Sequence, residues 1–227
     1  MNQAPLNAPY RVDTVALRKD APILVLLALD VLFGAFVWRL LPARVPIHWD
    51  AEGRVNGWGP AWMNALLLPA ITILVYLLLL YLPYIDPSRR NYGAFAGPLR
   101  TMRFLMVAFL VFIHILVVLA SAGVPVKVDV AIRVALALLF AGIGTRLSGL
   151  KHNWFFGIRT PWTLANEEVW ERTHRLAGPL FTVGGLLLVP CAFLPPRAGL
   201  AALVAGIIVL ALVPVVYSAV IFKRLTT

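Results

Sequence analysis

Three groups of residues in this chain have types that could do chemistry. His48, Asp50 and Glu52 stand within five positions of one another in a polar stretch at residues 42–61. His152, His174, Glu167 and Glu168 share a second polar stretch at residues 148–175. Asp30, His114 and Arg133 stand singly inside apolar runs. A histidine beside two carboxylates has the right atoms for a metal. Three ligands in five positions, however, match neither the zinc spacings nor the calcium-loop spacing. No HExxH, GxSxG or phosphate-binding glycine loop occurs, and no paired intramembrane aspartates. The expectation is a protein without catalytic residues, metal or cofactor.

The elements that must carry these residues are set by composition. The 227 residues are 61% hydrophobic and 13% charged, against about 45–50% and about 25% in a soluble domain. The charges fall between long apolar runs. Six runs are near the roughly 20 residues that cross a bilayer core: 21–41, 62–84, 101–122, 128–147, 176–194 and 199–222. The fold class expected is all-α, a polytopic integral membrane bundle of about six transmembrane helices, since helices satisfy their own backbone polar groups in lipid. Residues 1–20 form an N-terminal segment. Residues 21–147 form a four-helix region with the loop 42–61. Residues 148–175 form a motif loop and an amphipathic helix, and 176–227 form two last helices and a short tail.

Of the twenty Lys and Arg residues, fourteen fall on one side of this topology and six on the other. The positive-inside rule then places both termini in the cytoplasm, in the inner membrane of a cell. Trp38 and Trp62 flank the outer loop as interfacial anchors. The net charge of +10 is spread over span ends and excludes a nucleic-acid face. Cys191 is the sole cysteine, so no intrachain disulfide forms.

Within the outer loop, Ile47, His48 and Trp49 suit an extended piece, and Asp50 to Gly53 suit a turn. The loop is a hairpin cap over helix ends, or a surface that meets a peptide or ligand. In the inner loop, Asn166 suits a helix N-cap. Glu168–Arg172 and Glu171–Arg175 are spaced as helical pairs. Val169, Trp170, Thr173 and Ala177 fall near one face. Arg159 is either a clamp for an anionic group or a structural bond donor to loop carbonyls. Asp30, His114 and Arg133 are expensive in lipid unless paired. An Asp30–Arg133 or Asp30–His114 contact would offset that penalty. Such a contact is either a clasp between helices or part of a transport path.

At this level of detail the sequence resembles the SdpI family of membrane proteins. The resemblance is carried by "NWFFGIRTPWTLANEEVWERTHRLAG" at 153–178, "LPARVPIHWDAEGRVNGWG" at 41–59 and "IDPSRRNYGAF" at 85–95. It implies a bacterial inner-membrane protein giving immunity to a secreted toxic peptide, with signal transduction to a cytoplasmic regulator. It marks Asn153, Phe156, Gly157, Ile158, Arg159, Thr160, Pro161, Trp162, Thr163, Leu164, Trp170, Thr173, His174 and Gly178 as the inner motif. The outer motif is Pro46, His48, Gly53 and Gly57, with Trp49 and Asp50 between them. One departure is "GTRL" at 144–147, where the family often carries an Asn-Tyr-Met-like run. The rival readings are a small ion- or proton-coupled transporter and a structural membrane subunit.

Overall fold

A computed structural model describes residues 10–226; residues 1–9 of the expected N-terminal segment lie outside the described residues. The short helix α1 (Thr14–Lys19) leads into α2 (Ala21–Val37). A hairpin follows, β1 (Arg44–Trp49) and β2 (Val55–Pro60), then a π-helical turn, Met63–Leu67, that runs into α3 (Leu68–Tyr81). Two 3-10 segments, Leu82–Tyr84 and Arg89–Phe95, lead to α4 (Ala96–Ser121). The rest is α5 (Val128–Leu147), α6 (Pro161–Ala165), α7 (Glu167–Cys191) and α8 (Pro196–Thr226). Among the described residues, five helices are long and apolar enough to cross a bilayer: Met63–Tyr84, Arg89–Ser121, Val128–Leu147, Glu167–Cys191 and Pro196–Thr226. The expected first span is the shorter apolar helix α2. Its 17 residues reach about 26 Å at about 1.5 Å each.

Contacts define two ends. The hairpin end gathers Asn64, Ser121, Asp129, Arg133 and Arg197 around β1 and β2. The other end gathers Tyr10, Asp86, Tyr92, the motif loop and Ser218. α2, α3, α4, α5, α7 and α8 run alternately between them, so the chain's last helix finishes at the motif-loop end. β1 and β2 are antiparallel, with Arg44 opposite Pro60 and register shifts around His48.

Lipid supplies no hydrophobic drive between helices, so packing falls to small residues that let backbones approach. α5 and α7 do this along Ala137, Ala141 and Gly144 against Gly178, Thr182 and Gly185. A Cβ on Gly144 would strike the Thr182 backbone, and one on Gly185 would sit 2.5 Å from the Ala141 nitrogen. The departure at 144–147 therefore keeps a glycine where two backbones touch.

The amphipathic helix runs into the fifth span as one continuous helix, α7, with Pro179 and Pro190 inside it. Two expected element bounds are corrected. The third helix begins at Ala96, ahead of residue 101, because the 3-10 segment Arg89–Phe95 feeds it directly. The last helix begins at Pro196, ahead of residue 199, since proline suits a first helical turn.

Candidate functional site

The motif loop is built around two buried polar side chains. Asn153 is fully buried. Its Oδ1 accepts the N–H groups of Phe155 at 3.0 Å and Phe156 at 2.6 Å. Its Nδ2 donates to the carbonyls of Lys151 at 2.9 Å and Phe156 at 3.1 Å. One amide thus supplies the partners that an irregular buried backbone needs. Asp86 is the second centre. It accepts the Tyr92 hydroxyl at 2.5 Å, the Trp154 N–H at 2.9 Å and the Ser88 N–H at 2.6 Å. It ties the 85–95 segment to the motif loop.

Gly157 has φ 98°, a conformation L side chains rarely adopt, and a Cβ there would strike His174 Nε2. That nitrogen accepts the Ile158 N–H at 2.9 Å, and His174 Nδ1 lies 2.8 Å from the Trp170 carbonyl. The two partners fix the tautomer: Nδ1 carries the proton and Nε2 accepts. Both nitrogens are spent on backbone groups. Trp170 stacks on His174 at 4.1 Å and donates Nε1–H to the Leu150 carbonyl at 2.9 Å. Phe156, Ile158 and Leu164 pack against the same apolar cluster.

Thr160 and Thr163 form a capping box that starts α6, with Pro161 at the first helical position. Thr160 Oγ1 also meets Ser218 Oγ at 3.0 Å, so the loop is pinned to α8. Gly178 abuts Ser148 Oγ, which donates to the His174 carbonyl at 3.2 Å. Thr173 is buried with its hydroxyl unpartnered among the described residues. Asn166 caps α7 as expected, accepting the N–H groups of Glu168 and Val169. Val169, Trp170, Thr173 and Ala177 are all buried.

The loop also presents exposed side chains. Arg159 is exposed and donates Nη1–H to the Trp154 carbonyl at 2.9 Å. Trp154 itself is 47% exposed, Pro161 is exposed and Trp162 is half-buried. Glu168–Arg172 pairs at 2.5 Å as expected. Glu171 does not pair with Arg175; it takes Lys151 at 2.9 Å, which reaches it from the loop.

At the hairpin end the polar residues face outward. Asp50 Oδ1 accepts the N–H groups of Glu52 at 3.0 Å and Arg54 at 2.9 Å, and Oδ2 accepts Arg54 Nε at 2.9 Å. Those bonds, the Arg54 N–H first, hold the Asp50 carboxyl below its ordinary value. Gly53 takes φ 77° in the turn. His48 Nδ1 meets Asn56 Oδ1 at 2.5 Å, and Glu52 takes Arg197 Nε at 2.6 Å. His48 thus bonds Asn56, Asp50 bonds Arg54, and Glu52 bonds Arg197 and Arg54. Pro46 is buried, and its carbonyl accepts Asn64 Nδ2 at 2.7 Å. Asn64 also donates to Ser121 at 2.8 Å, anchoring the hairpin to α4. Gly57 lies 2.9 Å, at Cβ distance, from His48 Cβ. Trp49 is half-buried, while Ile47 and Trp58 are exposed.

Three buried ionic clusters stand out among the described residues. Asp30 and His114 meet at 2.6 Å, both almost fully buried. Asp30 Oδ2 and His114 Nε2 have no partner among the described residues. Arg133 does not join them: it donates to Asp129 at 2.5 Å and to the Pro196 carbonyl at 2.7 Å, clamping the hairpin end of α5 to the start of α8. The third cluster escaped sequence reasoning. Arg103 Nη2 donates to both oxygens of Asp20 at 3.0 and 2.9 Å, and Tyr76 donates to the same carboxylate at 3.2 Å. Asp20 and Arg103 sit at predicted span edges, where charges ordinarily face headgroups, so spacing gave no reason to pair them.

Two family models match the chain. The SdpI/YfhL protein family covers residues 149–218, which is the motif loop with α7 and most of α8. A domain of unknown function covers residues 25–73, which is the hairpin with its flanking helices. The chain is 24% identical over 186 residues to the immunity protein SdpI of Bacillus subtilis (strain 168), covering 78% of this chain and 83% of that one. No solved structure matches.

Proposed function

As a member of the SdpI/YfhL family, the chain is, we propose, a multi-pass inner-membrane immunity protein that protects its cell from a toxic peptide and relays the encounter inward. The hairpin end faces outward in this proposal, where it presents Ile47 and Trp58 to the peptide. The motif-loop end faces the cytoplasm, as the excess of Lys and Arg there favours. Its exposed group of Trp154, Arg159 and Pro161 meets a cytoplasmic regulator protein. The protein does no covalent chemistry in this account; it acts by binding.

One observation carries the proposal: both motif-rich ends are bonded to α8. The hairpin reaches α4 through Asn64 and Ser121, and the first turn of α8 through Glu52 and Arg197. The motif loop reaches α7 through His174 and α8 through Ser218. A force on the hairpin therefore acts on a helix that the loop also grips. Rigid elements bonded at both ends are one route by which distant sites couple.

The test is survival. Sensitive bacteria expressing this chain are challenged with the secreted toxic peptide of a strain that encodes such an immunity protein. Wild type raises the tolerated dose, and Trp58→Ser removes the gain while leaving membrane abundance unchanged. No gain with the wild-type chain contradicts the proposal.

The Asp30–His114 pair favours a second reading, a proton- or ion-coupled transporter, because two of its polar atoms lack partners inside the bundle. Proteoliposome uptake that depends on an ion gradient, and is lost in Asp30→Asn, would select it over immunity.

A further inference from the structure

A cavity of about 490 Å³ lies between residues 10–20 and the start of α4, at the motif-loop end. Arg11, Lys19, Arg100 and Arg103 line it together with two acids, Asp13 and Asp20. Both acids are already engaged. Asp13 Oδ1 accepts the Ala16 N–H at 2.7 Å, and Asp20 holds Arg103 and Tyr76. Arg11, Lys19 and Arg100 have no ion-pair or hydrogen-bond partner among the described residues. Arg103 is 3% exposed, and its Nε has no partner either. Three unmatched cations around one opening, with both acids already bonded within the protein, form a site for an anion.

We propose that this cleft binds a phosphate-bearing anion, with the headgroup of an anionic lipid as its natural occupant. Guanidinium groups offer forked donors that match phosphate oxygens. The cleft sits where α2 and α4 begin, and basic pockets between helix ends on that side suit anionic headgroups. Its rim is apolar where a lipid would need it: Val15 lines the opening and is 54% exposed. An occupant would brace α1 against α4 directly over the buried Arg103–Asp20 pair.

The experiment uses the full chain in a neutral detergent. Binding of dioctanoyl phosphatidylglycerol, dioctanoyl phosphatidylcholine and inorganic phosphate is measured by titration calorimetry. The triple variant Arg11→Gln, Lys19→Gln, Arg100→Gln empties the cleft of free charge but spares Arg103. A control, Arg146→Gln, Arg175→Gln, Arg224→Gln, removes the same charge elsewhere. Phosphatidylglycerol is expected to bind saturably to wild type and control, and about tenfold or more weaker to the cleft variant. Phosphatidylcholine is expected to bind weakly to all three. Phosphate binding that equals phosphatidylglycerol binding and is lost in the cleft variant identifies the free ion as occupant; weak phosphate binding identifies the lipid. Equal phosphatidylglycerol affinity for wild type and cleft variant, or an equal loss in the control, overturns the proposal.

Discussion

The hairpin and the motif loop are alike in sequence and opposite in construction. Each is a short polar stretch with one glycine at positive φ, Gly53 at 77° and Gly157 at 98°. The hairpin turn is held by exposed ionic bonds among Asp50, Arg54, Glu52 and Arg197. The motif loop is held by buried amide, hydroxyl and imidazole bonds to its own backbone. Exposed pairs contribute little each and are screened by salt. Buried polar groups are expensive to leave unmatched. A motif read from sequence thus marks mainly architecture at one end and mainly surface at the other.

Breaking the buried side should have the largest effect. Asn153→Ala strands two buried N–H groups, of Phe155 and Phe156, and two carbonyls. The expected loss is about 2–4 kcal/mol, seen as a lower thermal midpoint in detergent and less protein in the membrane. Thr163→Val comes next. It removes the acceptor for the Thr160 N–H and the donor to the Ile158 carbonyl, a loss of about 1–2 kcal/mol by the same assay.

The hairpin should answer to acid instead. Asp50 has its carboxyl lowered below the ordinary 3.8 in the folded turn. A lowered folded value means the carboxylate stabilises the turn above about pH 4 and stops doing so as the pH falls through the lower folded value. Protease nicking between Asp50 and Arg54 should therefore be constant from neutral pH to about pH 5 and rise only in strong acid. Asp50→Asn should make nicking insensitive to that acid step while leaving the motif loop protected.

Much of the architecture was legible in the sequence. Apolar run lengths gave the helices, and Asn166 gave the start of α7, because a cap and its first turn are adjacent in sequence. The Asp30–His114 contact was one of two pairings that burial in lipid allowed. Arg133 went instead to Asp129, its i,i+4 neighbour on the same helix, and to the distant Pro196 carbonyl. The ties through Asp86, Asn64 and Ser218 join residues far apart in the chain, with Asn64 and Ser121 separated by 57 positions. No local pattern encodes such partners. Arg159 shows the same limit: the sequence left it between anion clamp and loop donor, and its Trp154 bond uses one of its donors while the side chain stays exposed.

That exposure makes Arg159→Ala the most direct test of a two-ended device. Membrane abundance and survival under the toxic peptide are measured in the same cells. Exposed substitutions change stability by about 0.5 kcal/mol or less, so abundance should equal wild type. Survival should nonetheless be lost, because the proposed function makes protection depend on the surface opposite the hairpin. Full survival at wild-type abundance, or disappearance of the variant from the membrane, would contradict the account.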